Sequence, residues 1–133
     1  LRALLLQARL GRDIRIVLPE RSNHLLADLT RGRFLRQLKK VGAKIYLYGP
    51  GMIHAKHLVF DDGIAMVGSM NLDMRSLYLN YEAAMFLYSR SEIECVSHWM
   101  ASIMEQSSEF PSDEAGYLQT WAEDLSLLVS PLL

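Results

Sequence analysis

Cysteine is nearly absent: Cys95 is the sole one in 133 residues, which excludes an intrachain disulfide and a cysteine-based metal cluster and fits a reducing compartment. Long apolar runs are missing too. Although 50% of the residues are hydrophobic, no stretch approaches the ~20 consecutive apolar residues that cross a bilayer, and no charged segment leading into a short apolar one marks a secretory signal. The chain as it stands is expected to be soluble or peripheral. A start methionine is lacking as well, and a helix-like pattern begins at Leu1, so a fragment or processed piece of a longer protein is expected, with any membrane anchor upstream of it. Cations are scarce in the second half. Residues 61–133 hold two Lys/Arg against twelve Asp/Glu, whereas residues 1–60 hold twelve against three, an asymmetry hidden by the formal charge of −1. The basic half is suited to meeting phosphate and the acidic half to facing water.

This length supports one hydrophobic core, and a single domain over residues 1–133 is expected, since two independent ones would each be marginal. Leu1, Leu4, Leu5 and Ala8 recur at helical spacing, with Gly11 placed to stop the helix, and Ile14–Leu18 then reads as a short strand ended by Pro19. Leu25, Leu26 and Leu29, followed by Phe34, Leu35, Leu38 and Val41, give helical faces that stop at Gly42. Lys44–Tyr48 returns as a strand. Lys56–Phe60 and Ile64–Gly68 flank Asp62-Gly63, a dipeptide suited to the positive φ angles of a tight hairpin. Glu82–Tyr88 is a further strand. Ser91 and Glu94 have capping-box spacing ahead of a helix with Ile93, Val96, Met100, Ile103 and Met104 on one face. Ser107–Asp113 reads as a polar connection, and Tyr117, Trp121, Leu125, Leu128 and Leu132 as the apolar side of a last helix, for which core or half-to-half packing is the leading expectation. The alternation predicts an α/β fold, a mixed β-sheet sandwiched between helices.

The chemistry concentrates between His54 and Glu82. Residues two apart on an extended strand share a face, so His54 and Lys56 bring a titratable base beside a fixed cation. Attack on a phosphodiester needs a nucleophile or proton carrier at phosphorus and donors on the non-bridging oxygens, and these two residues suit those roles. Asp61 has the opposite strand parity and is read as the structural member of the motif. Gly68-Ser69-Met70-Asn71 follows the second hairpin strand: the glycine lets backbone approach a ligand, and Ser69 and Asn71 supply donors, completing an oxygen-binding cradle that calls for no metal and no cofactor. Glu82 opens the next strand, where a carboxylate can orient an imidazole; which histidine it serves stays open.

The ordered set His54-x-Lys56-x4-Asp61, Gly68-Ser69-x-Asn71 and Glu82 resembles the phospholipase D superfamily. Ile45–Tyr48, Pro50–Lys56, Asn71–Ser76, Leu79–Glu82 and Ser130–Leu133 are similar, more narrowly, to bacterial cardiolipin synthases over nearly the whole chain. The sequence departs from that pattern at Gly32-Arg33 and Asn23, positions that bear on headgroup or acceptor specificity. The resemblance implies phosphatidyl transfer between glycerophospholipids, two phosphatidylglycerols giving cardiolipin and glycerol through a phosphohistidine. It also implies a second motif, from the same longer chain or from a homodimer mate. With one motif present, the chain looks like a C-terminal half, inactive alone, in which His54 is the general acid/base and Lys56, Ser69 and Asn71 bind phosphate. The expected partners are phospholipid and a membrane surface, with the longer protein at the bacterial cytoplasmic membrane. Nucleic acid is not expected, given the near-zero net charge.

Two other readings are carried. One is a metal-independent dimeric nuclease of the same superfamily, and the other a non-catalytic module that binds anionic lipid. Outside the motif, His57 points to the opposite strand face and, like His24 and His98, is expected to be packed or solvated. Arg31, Arg33, Arg36, Lys39 and Lys40 are expected to form the wet side of a helix. The methionines near the site, among them Met66 and Met85, are expected to fill core gaps.

Overall fold

The computed structural model describes residues 2–21, 25–72 and 74–111, with 25–30, 74 and 75 described at the level of the backbone. The expected helix over Tyr117–Leu132 lies outside the described residues, as does His24. In chain order the elements are α1 (Arg2–Arg9), β1 (Arg15–Pro19), α2 (Leu25–Lys40), β2 (Lys44–Tyr48), β3 (Lys56–Phe60), β4 (Ile64–Gly68), α3 (Met74–Tyr78), β5 (Ala84–Leu87), α4 (Arg90–Glu105) and β6 (Ser107–Glu109). They form two compact units, one of residues 1–52 with 106–133 and the other of residues 53–105. The α/β expectation is met, with the strands gathered into two three-stranded sheets, ordered β1-β2-β6 and β3-β4-β5.

In the first unit, α1 and α2 both end where the sequence places glycine. Gly11 and Gly42 adopt φ of 78° and 98°, and the bonds Arg12 N–H to Gln7 O (3.1 Å) and Ala43 N–H to Leu38 O (3.1 Å) close Schellman caps over carbonyls left free at a helix end. The second cap turns the chain directly into β2, which runs parallel to β1 with Arg15 opposite Lys44 and Pro19 opposite Tyr48. Pro19 ends β1 as its last residue. It is tolerated there because β1 is an edge strand. Leu35 and Leu38 of α2, three apart on one face, bury against Ala43 and Ile45, with Leu4, Leu5, Ile16, Leu18 and Phe110 around them.

The segment expected as a polar connection contains β6, antiparallel to β2 through Tyr46–Glu109 and Tyr48–Ser107. Ser-Ser-Glu has no apolar alternation to announce a strand, and what holds it is backbone pairing together with Lys39. That lysine donates to the Phe110 carbonyl and lies 3.7 Å from the Glu109 carboxylate. Lys39 is therefore more than the wet side of α2. Arg31 likewise reaches out of the helix to the Glu20 carbonyl, at 2.9 Å.

The second unit is built on the hairpin β3–β4, paired from Lys56–Gly68 to Phe60–Ile64. The positive φ angles fall one residue earlier than expected, on Asp61 (48°) and Asp62 (52°), with Gly63 N–H closing on Phe60 O at 2.9 Å. Aspartate tolerates this left-handed region better than most side chains, so the two aspartates take the central positions of a type I′ turn that Gly63 closes as its fourth residue. Ala65 and Met66 are consecutive, hence on opposite faces, and both are buried; the central strand β4 is covered on both sides. Met66 fills core as expected, whereas Met85 is exposed.

Helix α4 packs on β3 and β4 through the face expected for it, with Ile93 buried. It starts two residues earlier than the Ser91–Glu94 box requires. Ser89 precedes the first helical residue and its hydroxyl pairs with that of Ser91 (2.9 Å), while Glu94 pairs with Arg90 at i,i+4 (2.9 Å). The spacing S-x-x-E recurs at Ser89–Glu92, so the sequence offers two registers and the helix uses the earlier.

Candidate active site

Strand register explains why distant residues meet. Lys56 is the first residue of β3 and pairs with Gly68, the last of β4, which in turn pairs with Ala84, the first of β5. Every residue singled out for chemistry except Asp61 lies in this row or within three residues of it: His54 before Lys56, Ser69 and Asn71 after Gly68, Glu82 before Ala84. The site is thus one end of the sheet. Paired residues share a face and alternate residues return to it, so His54, Lys56 and Glu82 have the same parity.

The expected pair is present. Lys56 Nζ lies 2.8 Å from His54 Nε2 and donates to the His54 carbonyl at 2.8 Å. An ammonium has donors only, so a hydrogen bond to Nε2 requires the neutral imidazole with its proton on Nδ1. His54 is exposed, in the irregular segment just ahead of β3, where its ring is accessible to a substrate.

Glu82 is held by residues of its own unit. Ser69 Oγ donates to its Oε2 at 2.5 Å, Asn80 Nδ2 to its Oε1 at 3.4 Å, and the hydroxyl of buried Ser76 bonds to it as well. The Ser69 hydroxyl, with the Ser76 and Asn80 donors and the nearby charge of Lys56, holds the carboxyl below its ordinary range, desolvation opposing. The carboxylate stays ionised, as an acceptor and a counter-charge to Lys56. Ser69 is fixed in turn by the ladder running past the strand end: Ser69 N–H donates to Ala83 O at 2.9 Å and Ala83 N–H to Ser69 Oγ at 3.1 Å.

Gly68 is also required by the sheet itself. A Cβ there would stand 2.5 Å from Ala83 O and 2.9 Å from Ala84 Cα, so the backbone leading into β5 approaches this glycine closely. Asn71 is exposed two residues beyond Ser69, open to an incoming oxygen. Asp61 is not brought to the site. Five residues of strand at roughly 3.3 Å each put it about 16 Å from Lys56, in the hairpin turn at the sheet's other end. His57 faces the other way, its ring edge-on to Trp99 with centroids 4.8 Å apart, and burial pushes its pKa down.

Ser76 and Asn80 were missed as site residues. The signal for both was thin: α3 has five residues, too few for periodicity, and a serine or asparagine near a turn is ordinary. Among the described residues no three His, Cys, Asp or Glu side chains converge as a metal site, and no helix is long and apolar enough to cross a membrane.

Comparison with known proteins places this geometry. A family model described as "Cardiolipin synthase, PLD-like domain" matches residues 1–105. Cardiolipin synthase A of Pseudomonas putida (strain GB-1) is 31% identical over 134 residues, 98% of this chain and 28% of that protein. The cardiolipin synthase of Listeria welshimeri is 32% identical over 136 residues, 100% of this chain and 28% of that protein. This chain therefore spans about 28% of the length of the curated relatives it matches. In fold it is similar to the crystal structure of the phospholipase D family member Nuc from Salmonella typhimurium, with a TM-score of 0.68 at 19% identity over 84% of this chain and 72% of that one. With the family model covering most of the sequence and the His54–Lys56 pair in place, the chain belongs to the cardiolipin synthase family of phospholipase D-like domains.

Proposed function

We propose that this chain supplies one half-site for phosphatidyl transfer between two glycerophospholipids, converting two phosphatidylglycerols to cardiolipin and glycerol. The observation that carries the reading is the contact of Lys56 Nζ with His54 Nε2 at 2.8 Å beside the carboxylate braced by Ser69. It sets a proton carrier, a cation and anchored hydrogen-bond donors at one accessible sheet end.

A lipid phosphate entering the site draws Lys56 from His54 onto a non-bridging oxygen, with Asn71 as a further donor, while the Ser69 hydroxyl keeps its one proton on Glu82 and holds that carboxylate in place. This frees Nε2, which takes up one proton from solvent; His54 gives that proton up in the first step and regains one in the second. A histidine of the second half attacks phosphorus, the bond from phosphorus to the departing glycerol oxygen breaks, and that oxygen takes the proton from His54. The phosphatidyl group now rests on the partner histidine. The hydroxyl of a second phosphatidylglycerol attacks it, His54 takes that hydroxyl's proton, and the phosphorus–nitrogen bond breaks to release cardiolipin and the histidine. Proton and phosphoryl balances close over the two steps. Negative charge on the equatorial oxygens rises in each transition state, where a fixed cation contributes most.

In its native length, reconstituted in phosphatidylglycerol vesicles, the protein should form one glycerol per cardiolipin, and His54→Ala should abolish both. Cardiolipin synthesis undiminished in that variant would sink the assignment; metal-independent cleavage of single-stranded DNA instead would mark a nuclease.

A further inference from the structure

We infer that Ser76 is a positioning residue: its hydroxyl pins α3 onto Glu82, and through that pin it fixes both the Glu82 carboxylate and Asn71 for the transfer reaction. The kinetic part of the inference rests on the reaction proposed above, whereas the pin itself does not.

The chain leaves β4 at Gly68 and re-enters the sheet at Ala84. The two ends of this excursion are tied at its base, where Ser69 N–H donates to Ala83 O at 2.9 Å and Ser69 Oγ to Glu82 Oε2 at 2.5 Å. Between them lie exposed Asn71 and then α3. Apolar burial does not hold the described side chains of α3, since Leu77 and Tyr78 are 45% and 73% exposed. Ser76 is the exception. It is 5% exposed, and it is the one buried polar residue among those described.

A buried hydroxyl left without a partner costs the full desolvation of the group. Its partner here is Glu82. A serine donates a single proton, so this capacity goes to the carboxylate, and donation to a charged oxygen is roughly twice as strong as to a neutral one. The pin therefore holds while Glu82 is ionised and slackens when that charge is removed. Glu82 in turn receives donors from three separate stretches of chain: Ser69 at the end of β4, Ser76 in α3, and Asn80 beyond it at 3.4 Å. Lys56 is the charged group that acts on it. The carboxylate cannot rotate toward one donor without leaving another.

Asn71 stands between Ser69 and Ser76. With both fixed, its amide is held in place before a phosphate arrives. With Ser76 released, it is tied on one side only. Donors placed in advance contribute most where charge grows in the transition state, so loss of the pin should be felt in turnover.

Trypsin reads the pin directly. Local opening of α3 exposes the Arg75–Ser76 peptide bond, and nicking follows the open population when opening is fast relative to cleavage. In the native-length protein, Ser76→Ala and Glu82→Gln should each raise nicking at that bond about tenfold or more, the equivalent of one hydrogen bond to a charged group. Glu82→Gln leaves the sequence around the cleaved bond intact and carries the test where Ser76→Ala does not fold. Ser97→Ala is the control. It removes a buried hydroxyl that has no partner among the described residues, and nicking should be unchanged. In phosphatidylglycerol vesicles Ser76→Ala should lower kcat about tenfold while KM stays within about threefold of the parent. Ser76→Thr, which keeps the hydroxyl, should recover both protection and turnover. Nicking indifferent to Ser76→Ala and Glu82→Gln overturns the pin, and raised nicking with parental kcat overturns the positioning role. Losses that Ser76→Thr leaves uncorrected assign Ser76 to packing alone and overturn it as well. If nicking responds as expected but the parent forms no cardiolipin, the reaction assigned above fails and the pin stands.

Discussion

Replacing Gly68 by alanine tests whether the close packing of β4 against β5 shapes the site. The added Cβ would lie 2.5 Å from Ala83 O and 2.9 Å from Ala84 Cα, both backbone atoms, so no side chain can swing aside and β5 must retreat. Overpacking of this kind costs about 1–3 kcal/mol, against a gain of about 0.4–1 kcal/mol from restricting the unfolded chain. The retreat also stretches the two bonds that tie Ser69 to Ala83, each contributing about 1 kcal/mol. With a urea dependence of about 1–3 kcal/mol per molar, the unfolding midpoint should fall by roughly 1 M or more. Gly63→Ala is the matched control. Its nearest atoms would be 3.8 Å away and its φ is not positive, so the midpoint should hold or rise slightly. Equal midpoints for the two variants would refute the packing argument.

Glu82→Gln should flatten the acid limb of stability: because the folded carboxyl lies below its ordinary value, its contribution is complete above the unfolded value and is lost as pH falls through the folded one. Urea midpoints measured from neutral pH down to about pH 3 should converge for parent and variant at the acid end, and parallel curves would contradict the bracing. Asp61→Asn should leave stability and activity near parental, whereas Asp61→Val should cost about 1–2 kcal/mol for a branched residue in the left-handed region; a large activity loss in folded Asp61→Asn would restore a chemical role to this residue. Lys56→Met should lower turnover by about 10²–10³-fold with the fold intact. In ¹⁵N spectra of the resting protein, His54 should then lose its preference for the Nδ1–H tautomer, and an unchanged tautomer balance would disprove the Lys56–Nε2 hydrogen bond.

Much of the fold was legible because its signals are local. β2, β3 and β4 fall on the residues their apolar runs delimit, and Gly11 and Gly42 stop their helices because only the left-handed region satisfies the carbonyls left behind. β6 was not legible: Ser-Ser-Glu becomes a strand only because β2 has an edge to pair with and Lys39 is in reach, facts that belong to the assembled unit. The hairpin turn lay between these cases. Asp62-Gly63 names a turn correctly, but the register of five pairs between β3 and β4 moves the positive φ angles to Asp61 and Asp62.

The site divides in the same way. His54 and Lys56 are two residues apart, so sequence spacing alone brings them together, and the contact is present. Glu82 is 26 positions from Lys56 and reaches its neighbourhood only through two successive antiparallel registers, Lys56 to Gly68 and Gly68 to Ala84. No local pattern conveys that, nor the bracing by Ser69, Ser76 and Asn80. The open question about Glu82 narrows accordingly. With Ser69 on one oxygen and Asn80 on the other, the carboxylate is held before any imidazole arrives, and it is near enough to Lys56 for that charge to act on it. A fixed carboxylate can orient an incoming histidine without cost in ordering itself.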